Sequence, residues 1–457
     1  MKRALIITYY WPPSGGSGVQ RWVKFSKYLP QNGWQPVIYT PENPSAPAQD
    51  TTLLKDIPAE AEVIKTPISE PYAIYARLFG KKKGSGSGSG EVNPINAQKK
   101  SLKQKLSLFV RSNFFIPDPR VWWVKPSVKF LCDYLKDNPV DVIITTGPPH
   151  SMHLIGREVH RATGIKWVAD FRDPWTKMFY FKNLELLPFA SRKHHKLEKS
   201  VLDEADAIIS VSPLVRDDFV QMTTTPVHLV TNGFDPEDYS AVVPAEHEGV
   251  FRVVHTGLFA SDGNPLVLWD ALARKCEADP AFASALQIRL AGKTDKEIIS
   301  AIEAAGLGGN LVNLGYCDHT LAVEEQVSAD LLLLPLRQDP EYRKVLPGKI
   351  FECVASGRPV LGIGQEDGAA AQILAESGAG VMCDWTAADA VSAAIDQAWD
   401  NFCGRPDSSS HSRLDPSSHS RLVRVSHSRP VRESPYARTS LTETLARLLD
   451  ELATSRS

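Results

Sequence analysis

No apolar run in this 457-residue sequence approaches the ~18–20 residues a membrane-spanning helix needs, so any membrane role is expected to be peripheral. Cysteine is scarce and scattered. Cys132, Cys276, Cys317, Cys353, Cys383 and Cys403 form no C-x-x-C pair and no closely spaced framework, which argues against a disulfide scaffold and for reduced thiols in a cytoplasmic compartment. A surplus of charge is missing as well. With 51 basic and 53 acidic residues the net charge is −2, which gives no general attraction to nucleic acid, and contact with an anionic surface has to come from local clusters. The apolar run after Met1-Lys2-Arg3 is too short for a secretory signal and runs straight into prolines and glycines, so it reads as a buried strand.

At this length a single core is too small a container, and two domains of roughly 200 residues each are expected. Within residues 1–235 apolar, β-branched runs recur at 4–10, 35–39, 140–145, 166–169, 207–210 and 228–230, each followed by a turn and a helical pattern. The same theme restarts at 251–255, 286–291, 311–314, 330–335, 359–363 and 380–382. Strands that are apolar throughout and alternate with helices predict parallel sheets covered on both faces, so the class is α/β with two Rossmann-like, doubly wound domains. The division read from the sequence is 1–235, a polar linker at 236–249, a second domain at 250–403, a low-complexity segment at 404–434 and a helical tail at 435–457. The Gly-Ser stretch at 84–90 marks a flexible excursion near 80–100. The triplet His-Ser-Arg, starting at His411, His419 and His427, has too little apolar surface to offset the entropy of ordering.

Polar groups gather where strands end. After the first strand, Gly15-Gly16-Ser17-Gly18 opens a helix at Arg21 and Trp22; glycines there let backbone approach a ligand, and the helix start offers N–H groups to an anion. Residues 141–146 run into Gly147-Pro148-Pro149-His150 and His153, and the next strand ends in Asp170-Phe171-Arg172-Asp173-Pro174-Trp175, a density of charge and aromatic character that favours a site. In the second half Pro347-Gly348-Lys349-Ile350-Phe351-Glu352 begins a helix just after the apolar strand at 330–335, at the sheet edge where open parallel sheets bind ligands.

That last segment resembles the nucleotide-sugar site of family-four retaining glycosyltransferases with the GT-B fold, in which a helix-borne glutamate holds the ribose hydroxyls of the donor. Glu352 matches the second glutamate of their E-x7-E motif, while the first position is Lys344. Asn232-Gly233-Phe234-Asp235 is similar to the segment that enters the second domain in these enzymes, and residues 436–449 resemble the terminal helix that packs back toward the first domain. The resemblance implies a retaining hexosyltransferase with its active site in the cleft between two domains, a nucleoside diphosphate sugar as co-substrate and no further cofactor. It implies a glycan or lipid-linked acceptor in cell-surface polysaccharide assembly. It assigns Gly16 and Gly18 to the diphosphate and acceptor, a histidine near the reacting carbon (His153 slightly ahead of His150), Asp173 to the acceptor or to orienting that histidine, and Asp170 and Arg172 to the acceptor side. Relatives place cations in the loop after the first strand of the second domain; here residues 255–264 hold none, and Lys293, Arg343, Lys344 and above all Lys349 are the replacements. No Asp-x-Asp stands at a strand end, so no metal is implied. Lys81–Lys83 and an amphipathic pattern over residues 99–111 suit either an ordinary amphipathic surface helix or peripheral contact with an anionic membrane at its inner face. Two other readings stay open: a catalytically inactive scaffold of GT-B shape, for which Lys344 argues, and an NAD(P)-dependent oxidoreductase, for which the first glycine loop alone argues.

Overall fold

The computed structural model describes residues 1–45, 49–69, 102–178, 181–240, 242–404 and 434–455; the Gly-Ser stretch, Lys81–Lys83 and residues 405–433 of the low-complexity segment lie outside them. The chain forms two units, Met1–Asn232 with Arg438–Ser457, and Gly233–Ala437.

In the first unit seven parallel strands lie in the order β3-β2-β1-β4-β5-β6-β7: β1 Lys2–Ile7, β2 Trp34–Pro41, β3 Glu62–Thr66, β4 Val142–Gly147, β5 Lys166–Phe171, β6 Ala207–Ser210 and β7 Val227–Leu229. Alternation along a strand explains why β1 is apolar at consecutive positions. Leu5 and Ile7 enter a core with Trp123 and Leu131, whereas Ala4 and Ile6 enter another with Trp22, Phe25 and Leu445. A strand with helices on both faces has no solvent side to mark with polar residues.

β3 was not among the runs expected from sequence. Glu62-Val63-Ile64-Lys65-Thr66 has a short apolar pair, Val63-Ile64, flanked by charged residues because it is the sheet edge, where charge discourages pairing with other chains. A search for continuously apolar runs passes over such a strand.

The terminal helix Arg438–Thr454 belongs to this unit. Leu445 and Leu449 are fully buried, and Asp450 accepts hydrogen bonds from Lys2 Nζ (2.9 Å) and Trp34 Nε1 (2.8 Å). Shortening Leu445 to alanine removes packing against β1 and the helix Ser17–Tyr28, and is expected to cost about 2–5 kcal/mol. Urea denaturation followed by far-UV circular dichroism measures this; a loss below about 1 kcal/mol would show that the helix is not part of the cooperative core.

The second unit repeats the plan with six parallel strands in the order β10-β9-β8-β11-β12-β13: β8 Phe251–Thr256, β9 Leu286–Ala291, β10 Leu311–Gly315, β11 Leu331–Pro335, β12 Val360–Ile363 and β13 Gly380–Cys383. The polar residues 236–249 fall inside this unit and include the one-turn helix Glu237–Ser240. In both sheets the order reverses once, between β1 and β4 and between β8 and β11. Neighbouring chain connections leave toward opposite faces there, which opens a crevice at the carboxyl ends of the strands.

Candidate functional site

The reversal point of the first sheet opens on a cavity of ≈ 470 Å³. Its wall takes Gly15, Gly16 and Gly18 from the loop after β1, Pro148, Pro149 and His150 from the loop after β4, and Arg172, Asp173 and Trp175 from the segment after β5. Arg172 fixes the shape of this wall: Nη1 donates to Gly18 O (2.8 Å), Nη2 to Pro148 O and Nε to Gly147 O (3.4 Å). Gly18 is glycine for a steric reason, since a Cβ there would lie 2.7 Å from Arg172 Nη1; Gly16 has open space around it and a φ of +100°. Asp173 also faces the cavity; burial pushes its carboxyl up from the usual range, opposed by Arg172.

The two histidines after β4 have different surroundings. His150 lines the cavity, its ring stacked on Trp175 at 4.6 Å. Burial, with His153, His194 and Arg172 nearby, holds it well below the ordinary imidazole value. His153, preferred by the sequence reading, does not line the cavity. It is fully buried in the first turn of the helix Ser151–Thr163, with Nδ1 2.8 Å from Thr145 Oγ1 and Nε2 against Gly147, where a Cβ would approach it to 2.5 Å. Burial lowers its pKa to about 3, so the ring is neutral. Position on the helix separates the two: His150 precedes the first turn and faces the loop, whereas His153 lies among Met152, Leu154 and Ile155, all buried.

Asp170 does not reach the cavity either. It is completely buried at the end of β5 and accepts hydrogen bonds from Arg21 Nη2 (2.8 Å), Arg21 Nε, Trp22 Nε1 (2.7 Å) and Thr146 Oγ1 (2.9 Å). Arg21 continues to the carbonyl oxygens of Val230 (2.9 Å) and Thr231 (2.8 Å). The pair therefore ties the helix after the glycine loop to three strand ends. Arg21 had no assigned role, although an arginine and a tryptophan entering an apolar helix were the available signal.

On the second unit the site gathers at the reversal between β8 and β11. The helix Lys349–Ser356 begins there with Gly348 as its cap and Glu352 in its first turn. Lys349 Nζ and Glu352 Oε2 lie 2.5 Å apart, each side chain about a quarter exposed (26% and 25%). Gln326 Nε2 donates to the same carboxylate oxygen (3.0 Å) and to Thr256 Oγ1 (2.9 Å), and Tyr239 Oη donates to Gln326 Oε1 (3.1 Å). Glu352 Oε1 makes no hydrogen bond among the described residues, so the carboxylate is held by one oxygen and offers the other. Gln326 and Tyr239 escaped sequence reasoning because nothing in their local spacing marks them.

Lys349 also lines a pocket of ≈ 210 Å³ with His255, Thr256, Phe259, Arg337 and Tyr342. It reaches over Gly257: a Cβ on that glycine, whose φ is +99°, would sit 3.5 Å from Nζ. The helix Lys349–Ser356 thus brings a cation beside the 255–264 loop, which has none of its own. Arg337, paired with Asp262 (2.9 Å), adds a second cation on the wall. Lys293 is exposed on the neighbouring loop, where its carbonyl accepts from Phe259 N (2.9 Å), and it is not on the pocket wall. Arg343 pairs with Asp367 (3.0 Å). Buried His255 holds Nδ1 3.2 Å from Leu333 O, and burial lowers its pKa to about 4.

The helix expected near 99–111 spans Leu102–Phe114. Its Leu108 and Arg111 line the first cavity, Phe109 and Val110 are half-buried, and Leu106 is exposed. Among the described residues no helix is long and apolar enough to cross a membrane.

Comparison with known proteins places these features. Residues 96–238 match the Glycosyltransferase Family 4 domain (Glyco_transf_4). No curated protein sequence matches the chain. Among solved structures, a glycosyltransferase from Rickettsia africae superposes with a TM-score of 0.56 at 13% identity, over 99% of this chain and 93% of that one. Sucrose-phosphate synthase from Thermosynechococcus elongatus gives 0.54 at 14%, over 100% and 97%. WaaG, a glycosyltransferase involved in lipopolysaccharide biosynthesis, gives 0.50 at 13%, over 99% and 98%. At these identities the solved structures establish likeness of fold.

Proposed function

We propose that this chain, whose residues 96–238 match the Glycosyltransferase Family 4 domain and whose fold is like that of solved glycosyltransferases, moves a hexose from a nucleoside diphosphate sugar to a glycan or lipid-linked acceptor in cell-surface polysaccharide assembly, with retention of anomeric configuration. The observation that carries this reading is the Glu352 carboxylate. It stands in the first turn of a helix at a strand-order reversal, anchored by Lys349 and Gln326 through one oxygen with the other open to a ligand. A pair of ribose hydroxyls fits that opening, and Lys349 and the start of its helix suit the adjoining diphosphate. The acceptor is assigned to the cavity of the first unit, with Arg172, Asp173 and His150 on its wall.

In the transfer the bond from the anomeric carbon to the β-phosphate oxygen breaks, and its electron pair leaves with the diphosphate. The acceptor hydroxyl oxygen bonds to the same face of that carbon, and its proton passes to the departing phosphate oxygen. Charge develops on the leaving group, so the cation Lys349 supplies electrostatic stabilisation, and no strong protein base is needed. The nucleotide sugar is the only co-substrate in this reading.

The test has two parts. Calorimetry against UDP, GDP, ADP, dTDP and NAD(P)H is expected to identify one nucleoside diphosphate that binds; binding of NAD(P)H alone overturns the proposal. Proton NMR of the product formed from the matching sugar nucleotide then reads the new linkage, which should keep the donor's anomeric configuration. An inverted product would sink the retaining mechanism while leaving the transferase intact.

A further inference from the structure

The cavity of the first unit is lined by three guanidinium groups, Arg111, Arg120 and Arg172, and two carboxylates, Asp118 and Asp173. Asp118 is committed to the start of the helix Ser151–Thr163, accepting from Ser151 N (2.8 Å) and Ser151 Oγ (2.9 Å). Arg172 forms no ion pair among the described residues. Three of its five N–H donors go to the carbonyl oxygens of Gly147, Gly18 and Pro148, which leaves two. Carbonyl dipoles satisfy hydrogens but do not cancel a unit charge, and a cation withdrawn from water without a counter-ion is costly.

His194 points the same way. It is 4% exposed on the cavity wall, and its Nδ1 accepts from Trp175 Nε1 (3.0 Å), which puts the proton of the neutral ring on Nε2. That Nε2 closes no hydrogen bond, although the Ser112 backbone interacts with the ring. Finally, the helix Ser17–Tyr28 starts at Gly16 on the same wall, with no capping side chain and no acid in its first turn. Asp173 is the carboxylate that acts most strongly on Arg172, and burial raises its own pKa.

We infer that the acceptor carries a phosphate group, held in this cavity by Arg172, His194 and the backbone N–H groups around Gly16 and Gly18, so that the acceptor is a sugar phosphate or a lipid phosphate. This rests on assigning the cavity to the acceptor. It narrows the substrate class from glycans in general to phosphorylated ones, and it gives Arg172 and His194 the role of anion ligands.

The experiment is calorimetry of the full chain, in phosphate-free buffer at low salt, with a hexose, its 6-phosphate, farnesyl phosphate and inorganic phosphate. The phosphorylated hexose or farnesyl phosphate is expected to bind at least about tenfold more tightly than the free hexose, and which of the two gains identifies the source of the phosphate. Arg172→Gln should abolish the advantage, and Arg111→Gln and His194→Asn should reduce it, so the inference remains testable if loss of Arg172 prevents folding. Nucleoside diphosphate binding, which depends on Glu352, is measured alongside. Its absence from the wild type would defeat the transferase reading itself. Its presence with equal affinities for hexose and hexose phosphate would overturn only the phosphate assignment. If Arg172→Gln weakens nucleoside diphosphate as much as it weakens phosphate, the anion belongs to the donor and the assignment is again overturned.

Discussion

Replacement of Glu352 by alanine is expected to lower kcat/KM by about 10²–10³-fold while leaving the fold intact. Two hydrogen bonds to a charged carboxylate contribute about 1.5–3 kcal/mol each, and at ~1.4 kcal/mol per decade their loss amounts to two or more powers of ten. The substitution also frees Lys349, on the pocket wall, from its 2.5 Å partner and leaves Gln326 Nε2 with Thr256 Oγ1 alone, so both lose a shared anchor. Stability should change by less than about 1 kcal/mol, because a lysine–glutamate pair a quarter exposed gains little from its own attraction. A sharper check uses the ligand. The wild type should prefer a ribonucleoside diphosphate to its 2′-deoxy analogue by about tenfold or more, and Glu352→Ala should bind both equally. A mutant that keeps the preference would show that another group reads the ribose. Gln326→Ala, which loosens the carboxylate without removing it, should give an intermediate loss.

The largest effect on stability is expected at Asp170. Burial acts to raise the pKa of this carboxyl, but the charge and hydrogen bonds of Arg21, joined by Trp22 and Thr146, more than offset it, and the net shift is downward. Asp170→Asn leaves the Arg21 guanidinium, 1% exposed, without its counter-ion, and is expected to cost about 3–5 kcal/mol in urea denaturation. Replacing both partners together, Arg21→Met with Asp170→Leu, should recover only part of that, since it removes the unpaired charge but leaves Trp22 Nε1, Thr146 Oγ1 and the Val230 and Thr231 carbonyls without these partners. A single-mutant loss below about 1 kcal/mol would mean that the pair is not the clamp described.

The same groups set the response to acid. A depressed folded-state pKa means that the unfolded chain binds protons more readily, so stability is lost as pH falls. His153, lowered to about 3, and His255, lowered to about 4, contribute fully above their ordinary value of 6.5 and lose that contribution as pH drops toward those folded values. Asp170 adds its loss below the usual carboxylate value of 3.8. Denaturation midpoints should therefore begin to fall below about pH 6.5, with the steepest part of the Asp170 contribution absent from Asp170→Asn.

The sequence by itself determined the two-unit α/β plan. A strand covered on both faces is apolar along its length, and of the thirteen strands among the described residues all but β3 fall on an expected run; β6 and β9 agree with those runs residue for residue. It also determined the Lys349–Glu352 pair, because three residues on a helix is a distance that chain geometry sets locally. Tertiary structure alone decided which partners meet across long separations. Arg21 finds Asp170 149 positions away, Gln326 reaches Glu352 from 26 positions before it, and Arg172 closes on Gly18 across 154. It also set His150 on the cavity wall and buried His153, three residues later on the chain. The physical reason is that local spacing carries information about periodicity and helix faces, whereas a buried ion pair or a cavity wall exists only once separate strands have been brought side by side.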